Sequence, residues 1–360
     1  MRTLRLVRTP GCVVELAFDQ GALVADQQRW PLCELEFELK AGEPSALAAL
    51  ASRWVVRFGL TLDVRTKAER GERLARGVRL GAAVKAQPLT LPEAVDSHTA
   101  LRLVLGNCLS QVLANASDLA HEADTEPEQL HQLRVGLRRL RTALRELGPL
   151  SDALRPEWGE ALGQLFGRLG SARDRDALAQ TLLPALRQAG ATGLELPVIE
   201  AEPAAQAALR EPGTTQLWLQ LVTFAAAGGV SEQAFAPAVR QRLARLFKQV
   251  RRDAALFATL DDTARHRLRK RVKRLRYLSE FVASAYRAER VRAFLKRLAP
   301  AQEALGAFND VCVARALFEH AAPDDPMAMF ALGWLAHERD DAIQHCQRVL
   351  GPLRKARPYW

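Results

Sequence analysis

The apolar positions of this chain follow two different periods. Leu133, Leu137, Leu140, Leu144 and Leu147 recur every three or four residues, and so do Leu268, Val272, Leu275 and Phe281. At about 100° per residue each set falls on one side of a helix. The pattern predicts helices over about His98–Ala120 and Glu126–Leu147, then breaks at Pro149 and Pro156 before a helix carrying Trp158, Phe166 and Leu169. Gly190–Gly193 with Pro197 and Pro203 reads as the most loop-like stretch, and Gly228–Gly229 as a further break. Near the N-terminus the period is two. Val14, Leu16 and Phe18 alternate with Glu15, Ala17 and Asp19, and Leu35, Phe37 and Leu39 alternate with Glu34, Glu36, Glu38 and Lys40. This predicts strands at 13–19 and 33–40, a turn at Asp19–Gly21, a helix over about Ser45–Arg57 and a further strand ending near Lys67. The charged, Gly- and Pro-punctuated stretch over about Ala68–Asp96 reads as the link between the two parts.

The sides opposite the leucines are basic. His131, Arg134, Arg138, Arg141 and Arg145 share one face, and His266, Arg269, Lys273 and Arg276 share the matching one. The two motifs begin 135 positions apart, and no acidic residue interrupts either before Glu146 and Glu280. A solvated basic face usually carries ion pairs at four-residue spacing, so a repeated, uninterrupted row favours a polyanionic ligand. The repeat extends downstream, where LGSARDRDAL with Arg173, Asp174 and Asp176 is echoed by LGAFNDVCVARAL with Asn309 and Asp310. The spacing predicts a duplicated helical subdomain: two bundles related by a pseudo-twofold axis, their basic faces meeting across a groove. A further basic helix is expected over Arg240–Arg252, with Arg245, Lys248 and Arg252 on one side.

The whole chain has 360 residues, 51 Lys and Arg against 41 Asp and Glu, and an isoelectric point near 9.8, which favours an anionic partner. Arg predominates in the motifs, and its guanidinium grips phosphate oxygens in pairs. Aromatic residues are scarce at 6%, which argues against a surface that stacks single-stranded bases. The five cysteines form no C-x-x-C, so neither a disulfide framework nor a zinc site is expected. No apolar run is long enough for a membrane span and no secretory signal is evident, so a cytoplasmic protein with reduced thiols is expected.

At this point the sequence resembles the CHAD domain, an all-helical family. The resemblance rests on His131, Arg134, Arg138, Arg139 and Arg141 with Arg173–Asp174, and on His266, Arg269, Lys273, Arg274, Arg276 and Tyr277 with Asn309–Asp310. It covers roughly residues 90 to 350. It implies a helical domain that binds inorganic polyphosphate, without a cofactor, through these residues, with Arg145 and Lys296 extending the surface. His131 and His266 would donate to phosphate oxygens, and Asp174 and Asp310 would orient arginines. Polyphosphate granules would be one location for such a protein.

The stretch from Val14 to Leu74 resembles the C-terminal half of the CYTH domain, a triphosphate tunnel fold that precedes CHAD in inorganic triphosphatases. The resemblance implies that Glu34, Glu36, Glu38 and Asp19 help hold Mg²⁺ or Mn²⁺, and that Lys40 and Lys67 bind triphosphate; Thr66 stands where that family has Ser. The family's E-x-E-x-K strand is missing before Glu15. Half a tunnel leaves open sheet edges, to be covered by the helices, a second copy in a homodimer, or disorder. The expected class is therefore mainly α: a partial CYTH-like α+β domain at 1–80, a linker at 81–96, and a helical domain at 97–355 with halves at about 97–225 and 230–355. The expected function is polyphosphate binding. A metal-dependent triphosphatase whose helical part recruits substrate and a nucleic-acid-binding module are the alternatives.

Overall fold

The computed structural model describes residues 1–122, 127–152, 154–170, 178, 182–196, 205–321 and 325–360. Three antiparallel strands come first: β1 (Arg2–Thr9), β2 (Cys12–Ala25) and β3 (Gln28–Gly42), in the order β1-β2-β3. The expected turn at Asp19–Gly21 does not form. β2 runs straight through it, because β3 pairs across the whole stretch, Gln20 with Cys33 and Gly21 with Leu32. The reversal comes instead at Asp26, which takes a positive φ of 50°. Val14, Leu16, Leu35, Phe37 and Leu39 point to one face, where helix α1 (Pro44–Phe58) packs Leu50 and Trp54 on them.

The expected strand ending near Lys67 is also absent. Residues 59–66 lie extended but bond to side chains of helix α3 (Ser97–His121) rather than to a strand, as where the Val64 amide donates to Ser117 Oγ (3.1 Å). Helix α2 (Lys67–Ala75) then occupies what reads in sequence as linker, capped by Thr66, whose hydroxyl accepts from the Glu69 amide. From residue 76 to 96 the chain is again extended and pinned along α3. Asn115 exchanges two hydrogen bonds with the Val84 backbone (2.8 and 3.0 Å), and Asn107 donates to the Gln87 carbonyl.

The helical region continues with α4 (Pro127–Leu147), α5 (Glu157–Arg168), α6 (Ala205–Arg210), α7 (Pro212–Ala226), α8 (Phe235–Ala255), α9 (Asp262–Phe281), α10 (Ala288–Ala321) and α11 (Pro326–Arg354). The chain is thus mainly helical with a small N-terminal antiparallel sheet. One continuous core runs from Leu101 on α3 through Leu137 and Leu140 on α4 to Leu268, Leu275 and Leu353. Each fully buried Leu contributes about 1.5–3 kcal/mol of burial. A smaller core joins Leu183 and Leu186 to Phe318 and Leu335 on the outer ends of α10 and α11. Helices α3 and α4 pack so closely that a Cβ at Gly136 would meet Val112 at 2.8 Å. All five cysteines are free thiols. Among the described residues no helix is long and apolar enough to cross a membrane.

Candidate functional site: a basic cavity between the two motif helices

The leucine face of α4 is buried in the core, which turns its arginine face outward. The same holds for α9, whose Leu268, Val272 and Leu275 are fully buried. The two basic faces line one cavity of about 1090 Å³. Helix α4 supplies Arg134, Arg138, Arg141 and Arg145. Helix α9 supplies His266, Arg267, Arg269, Lys270, Arg271, Lys273, Arg274 and Tyr277, and Asn309 and Asp310 come from α10. With Arg155 from the loop before α5, eleven Arg and Lys side chains face the carboxylates of Glu160 and Asp310 among the described lining residues.

Local structure holds these cations in place. Arg134 is buried, and its Nη1 donates to the carbonyls of Leu169 (2.7 Å) and Gly170 (2.5 Å). Glycine is required at 170 for a separate reason: a Cβ there would lie 2.7 Å from the Gly167 carbonyl oxygen. Phe166 on α5 is ringed by the guanidiniums of Arg134, Arg141 and Arg138, at 5.0, 5.4 and 6.0 Å from its centroid. Arg274 donates to Glu146 at the end of α4 (2.8 Å), tying the two motif helices together. Arg271 is held by Asp253 on α8.

Crowded cations disfavour one another's charge. Burial first, and then Arg138 and Arg269, lower the Lys273 pKa from 10.5 to about 7, against the opposing pull of Asp310. Burial and the neighbouring Arg145, Arg274 and Arg141 lower Lys270 as well. Burial and Arg145 do the same to Arg141. His266 donates from Nδ1 to Asn309 Oδ1 (2.8 Å). Burial, together with Lys270, Arg269 and Lys273, keeps its imidazole below the usual 6.5 despite that bond. His266 therefore gains its charge at a lower pH than a free imidazole does. Its Nε2 can donate to a phosphate only after taking up a proton, which an incoming anion favours.

Several residues of the expected site lie elsewhere. Arg139 is buried and faces α3, where it donates to Gln111 Oε1 (3.1 Å) and Asn107 Oδ1 (2.9 Å) and covers Phe281. Its helical angle is about 120° from the middle of the leucine face, on the side away from the Arg134–Arg138–Arg141 row, which turns it toward α3. Arg276 turns out of the cavity to pair with Glu280 (2.7 Å), and neither His131 nor the exposed Lys296 is among the lining residues. Arg173 and Asp174 lie outside the described residues. Sequence reading missed Arg155, Arg267, Lys270 and Arg271. On α9 the lining arc is centred on Lys270 and Tyr277, so the row His266–Arg269–Lys273 is one edge of it. Arg267, Arg271 and Arg274, at four- and three-residue spacing, form the other edge and were a readable signal.

The acidic face of the sheet forms a second cluster. Asp19, Glu34 and Glu36 converge closely enough to hold a metal ion, whereas Glu38 and Glu15 pair with Lys40 at 2.8 and 3.3 Å. The Lys67 ammonium bridges all three converging carboxylates, 2.8 Å from Asp19. Arg2 on β1 donates twice to Asp19 (2.8 and 2.7 Å) and once to Glu36, and Arg70 on α2 donates to Glu34. Hydrogen bonds from Arg2 and Lys67 hold the Asp19 carboxyl well below the usual range. Partial burial alone would lower the Lys67 pKa, but bonds to Asp19, Glu34 and Glu36 raise it. These residues do not fit a divalent ion: an ammonium takes the centre, and β1 presents Arg2, Leu4 and Leu6 to this face instead of carboxylates. Nor does Lys40 or Lys67 stand free for triphosphate.

A helical fold with two basic motif helices around one cavity defines the class. Residues 103–319 match the CHAD domain. The chain is similar, at 32% identity and a TM-score of 0.64, to the crystal structure of the CHAD domain from the plant Ricinus communis, over 77% of this chain and 98% of that one. The chain belongs to the CHAD domain family. The fold is shared with PptA from Streptomyces chartreusis, at 20% identity and a TM-score of 0.54, over 71% of this chain and 99% of that one.

Proposed function

We propose that the central cavity binds inorganic polyphosphate. The observation that carries this reading is the convergence of eleven Arg and Lys side chains from both motif helices and one loop on a single cavity with two carboxylates. Their mutual repulsion is the cost of the empty cavity, and a chain of phosphates relieves it. The family is linked to polyphosphate, which supports the same ligand. Arg138, Arg141 and Arg145 grip one side of the polymer, and Arg269, Lys270 and Lys273 grip the other. A nucleic acid is disfavoured because Phe166, the aromatic ring lining the cavity besides Tyr277, is already ringed by three guanidiniums and offers no open stacking face. The duplicated halves and their pseudo-twofold relation belong to this reading. So does the descent of residues 1–80 from a CYTH-like tunnel, now closed by its own cations. Titrating long-chain polyphosphate against duplex DNA at physiological salt tests it. Polyphosphate should bind more tightly and weaken steeply as salt rises, through counterion release. Preference for DNA, or affinity insensitive to salt, would sink the reading.

A further inference from the structure

Outside the central cavity, the basic helix noticed in sequence, α8, lines a second groove of about 1280 Å³ against the C-terminal end of α11. Lys248, Arg251 and Arg252 come from α8, and Arg354 and Lys355 from the end of α11 and the residue beyond it. All five are exposed. No Asp or Glu side chain is among the described lining residues. Two structural explanations are available. A solvated helix face carries acidic partners at four-residue spacing, and α8 places none beside Lys248 or Arg251. Cations near helix C-termini offset the partial negative charge there, but that effect is met by one or two, not by five in one groove.

The two grooves share a wall. Asp253 is buried between them, accepting from Arg252 of the outer groove (3.1 and 3.2 Å) through Oδ1 and from Arg271 of the central cavity through Oδ2. The nearest cations of the two grooves, Arg252 and Arg271, are thus joined through one buried carboxylate. We propose that the outer groove is a second binding segment for the same phosphate polymer, so that long chains engage both grooves and short ones the central cavity alone. The proposal rests on the polyphosphate reading of that cavity. A polymer held at two connected segments gains affinity because the second contact is intramolecular. Bare phosphate fits better than nucleic acid because the groove's rings are already engaged. Phe247 is buried, and Trp360 packs edge-to-face on Phe247 and Phe294 at 5.7 and 5.3 Å.

The test compares long-chain polyphosphate with tripolyphosphate on the full chain. The triple variant Lys248→Ala, Arg251→Ala, Lys355→Ala should lose at least about tenfold in affinity for the long polymer and release fewer counterions, giving a shallower salt dependence. Its tripolyphosphate affinity should stay unchanged. Arg138→Ala should weaken both ligands. A charge-keeping triple, Lys248→Arg, Arg251→Lys, Lys355→Arg, should bind like the parent, and a loss there would overturn a role for charge. Unchanged long-chain affinity in the alanine triple overturns the second segment while leaving the central site standing. A loss confined to oligonucleotide binding overturns it in favour of a nucleic-acid surface. If the parent chain binds neither phosphate ligand, the central reading fails and this one falls with it.

Discussion

The two charged regions of this molecule solve opposite problems. At the N-terminal end every acidic cluster is answered from within the chain. Asp19, Glu34 and Glu36 meet Arg2, Lys67 and Arg70. Asp63, Asp118 and Glu122 meet Arg65 and Arg73. The central cavity gathers eleven cations and two carboxylates in its lining, and of those cations Arg271 and Arg274 also pair outside it, with Asp253 and Glu146. Charge that is satisfied internally holds segments together. Charge gathered at the expense of its neighbours' protonation is arranged for a partner. The contrast predicts that substitutions at one end change stability, and substitutions at the other change binding.

The largest effect is expected at Arg65. Its side chain is almost fully buried and bonds to Asp63, Asp118 and Glu122, clamping the extended 59–66 segment to α3. Arg65→Ala takes the cation from the buried Glu122 and leaves Asp118 with Arg73 alone, and should cost about 3–5 kcal/mol, read by urea unfolding. Polyphosphate affinity of the folded variant should not change; a coincident loss of binding would break the division between the two regions.

Arg138→Ala and Lys273→Ala should behave the other way. If the cavity binds polyphosphate as proposed, each removes a charged contact to the polymer, worth about 1.5–3 kcal/mol, or roughly ten- to hundredfold in affinity. Because each also removes a repelling cation, the melting temperature should hold or rise. Affinity lost from one motif helix only, when each is probed in turn, would rule out a shared cavity.

Titration sharpens the contrast further. Lys273 is surrounded by Arg134 and Arg138 from α4, Arg269 from α9 and Asp310 from α10, and its pKa in the free protein is about 7. Bound phosphate raises that value. Binding strength is then fully expressed below pH 7, where Lys273 is charged both free and bound. Above pH 7 binding must also take up a proton, so affinity falls by at most about tenfold per unit. Stability runs in the opposite direction. An unfolded lysine near 10.5 holds a proton that folded Lys273 has released, so Lys273 makes the free protein more stable as pH rises from 7. Lys273→Arg, which stays charged, should flatten both trends relative to the parent.

The helical half of this picture was legible because its code is local. A leucine stripe fixes which side of α4 and α9 is core, and the rest of each motif follows by angle. Arg139 was misread because Arg138 and Arg141 close to it in sequence face the cavity while its own angle points to α3. The missing cue was a polar stripe inside an otherwise buried helix, Asn107, Gln111, Asn115 and Asp118. These bind Arg139, the 84–87 backbone and Arg65. The N-terminal half was harder to read because its code is in pairing. Nothing local says that β2 ignores Asp19–Gly21, or that residues 59–66 bond to a helix. β1 went unread because its Leu4 and Leu6 stand exposed on the sheet's acidic face, beside Arg2, while Arg5 falls on the other face, so its alternation is not the apolar-in, polar-out pattern of β2 and β3.

The smallest expected effect is at the acidic cluster of the sheet. A divalent ion there must displace the Lys67 ammonium, which already bridges Asp19, Glu34 and Glu36, and must overcome Arg2 and Arg70 as well. Mn²⁺ should therefore leave the melting temperature of the parent chain unchanged. Lys67→Met vacates the centre and leaves three carboxylates with two cations, so Mn²⁺ should raise the melting temperature of that variant. With metal excluded from the parent, no Lewis acid polarises a phosphoanhydride, and phosphate release from tripolyphosphate should stay at background with Mg²⁺ or Mn²⁺. Turnover near about one per second, an ordinary enzymatic rate, that vanished on Glu36→Gln would show that the ammonium yields to metal. The sheet's charges would then serve chemistry as well as structure.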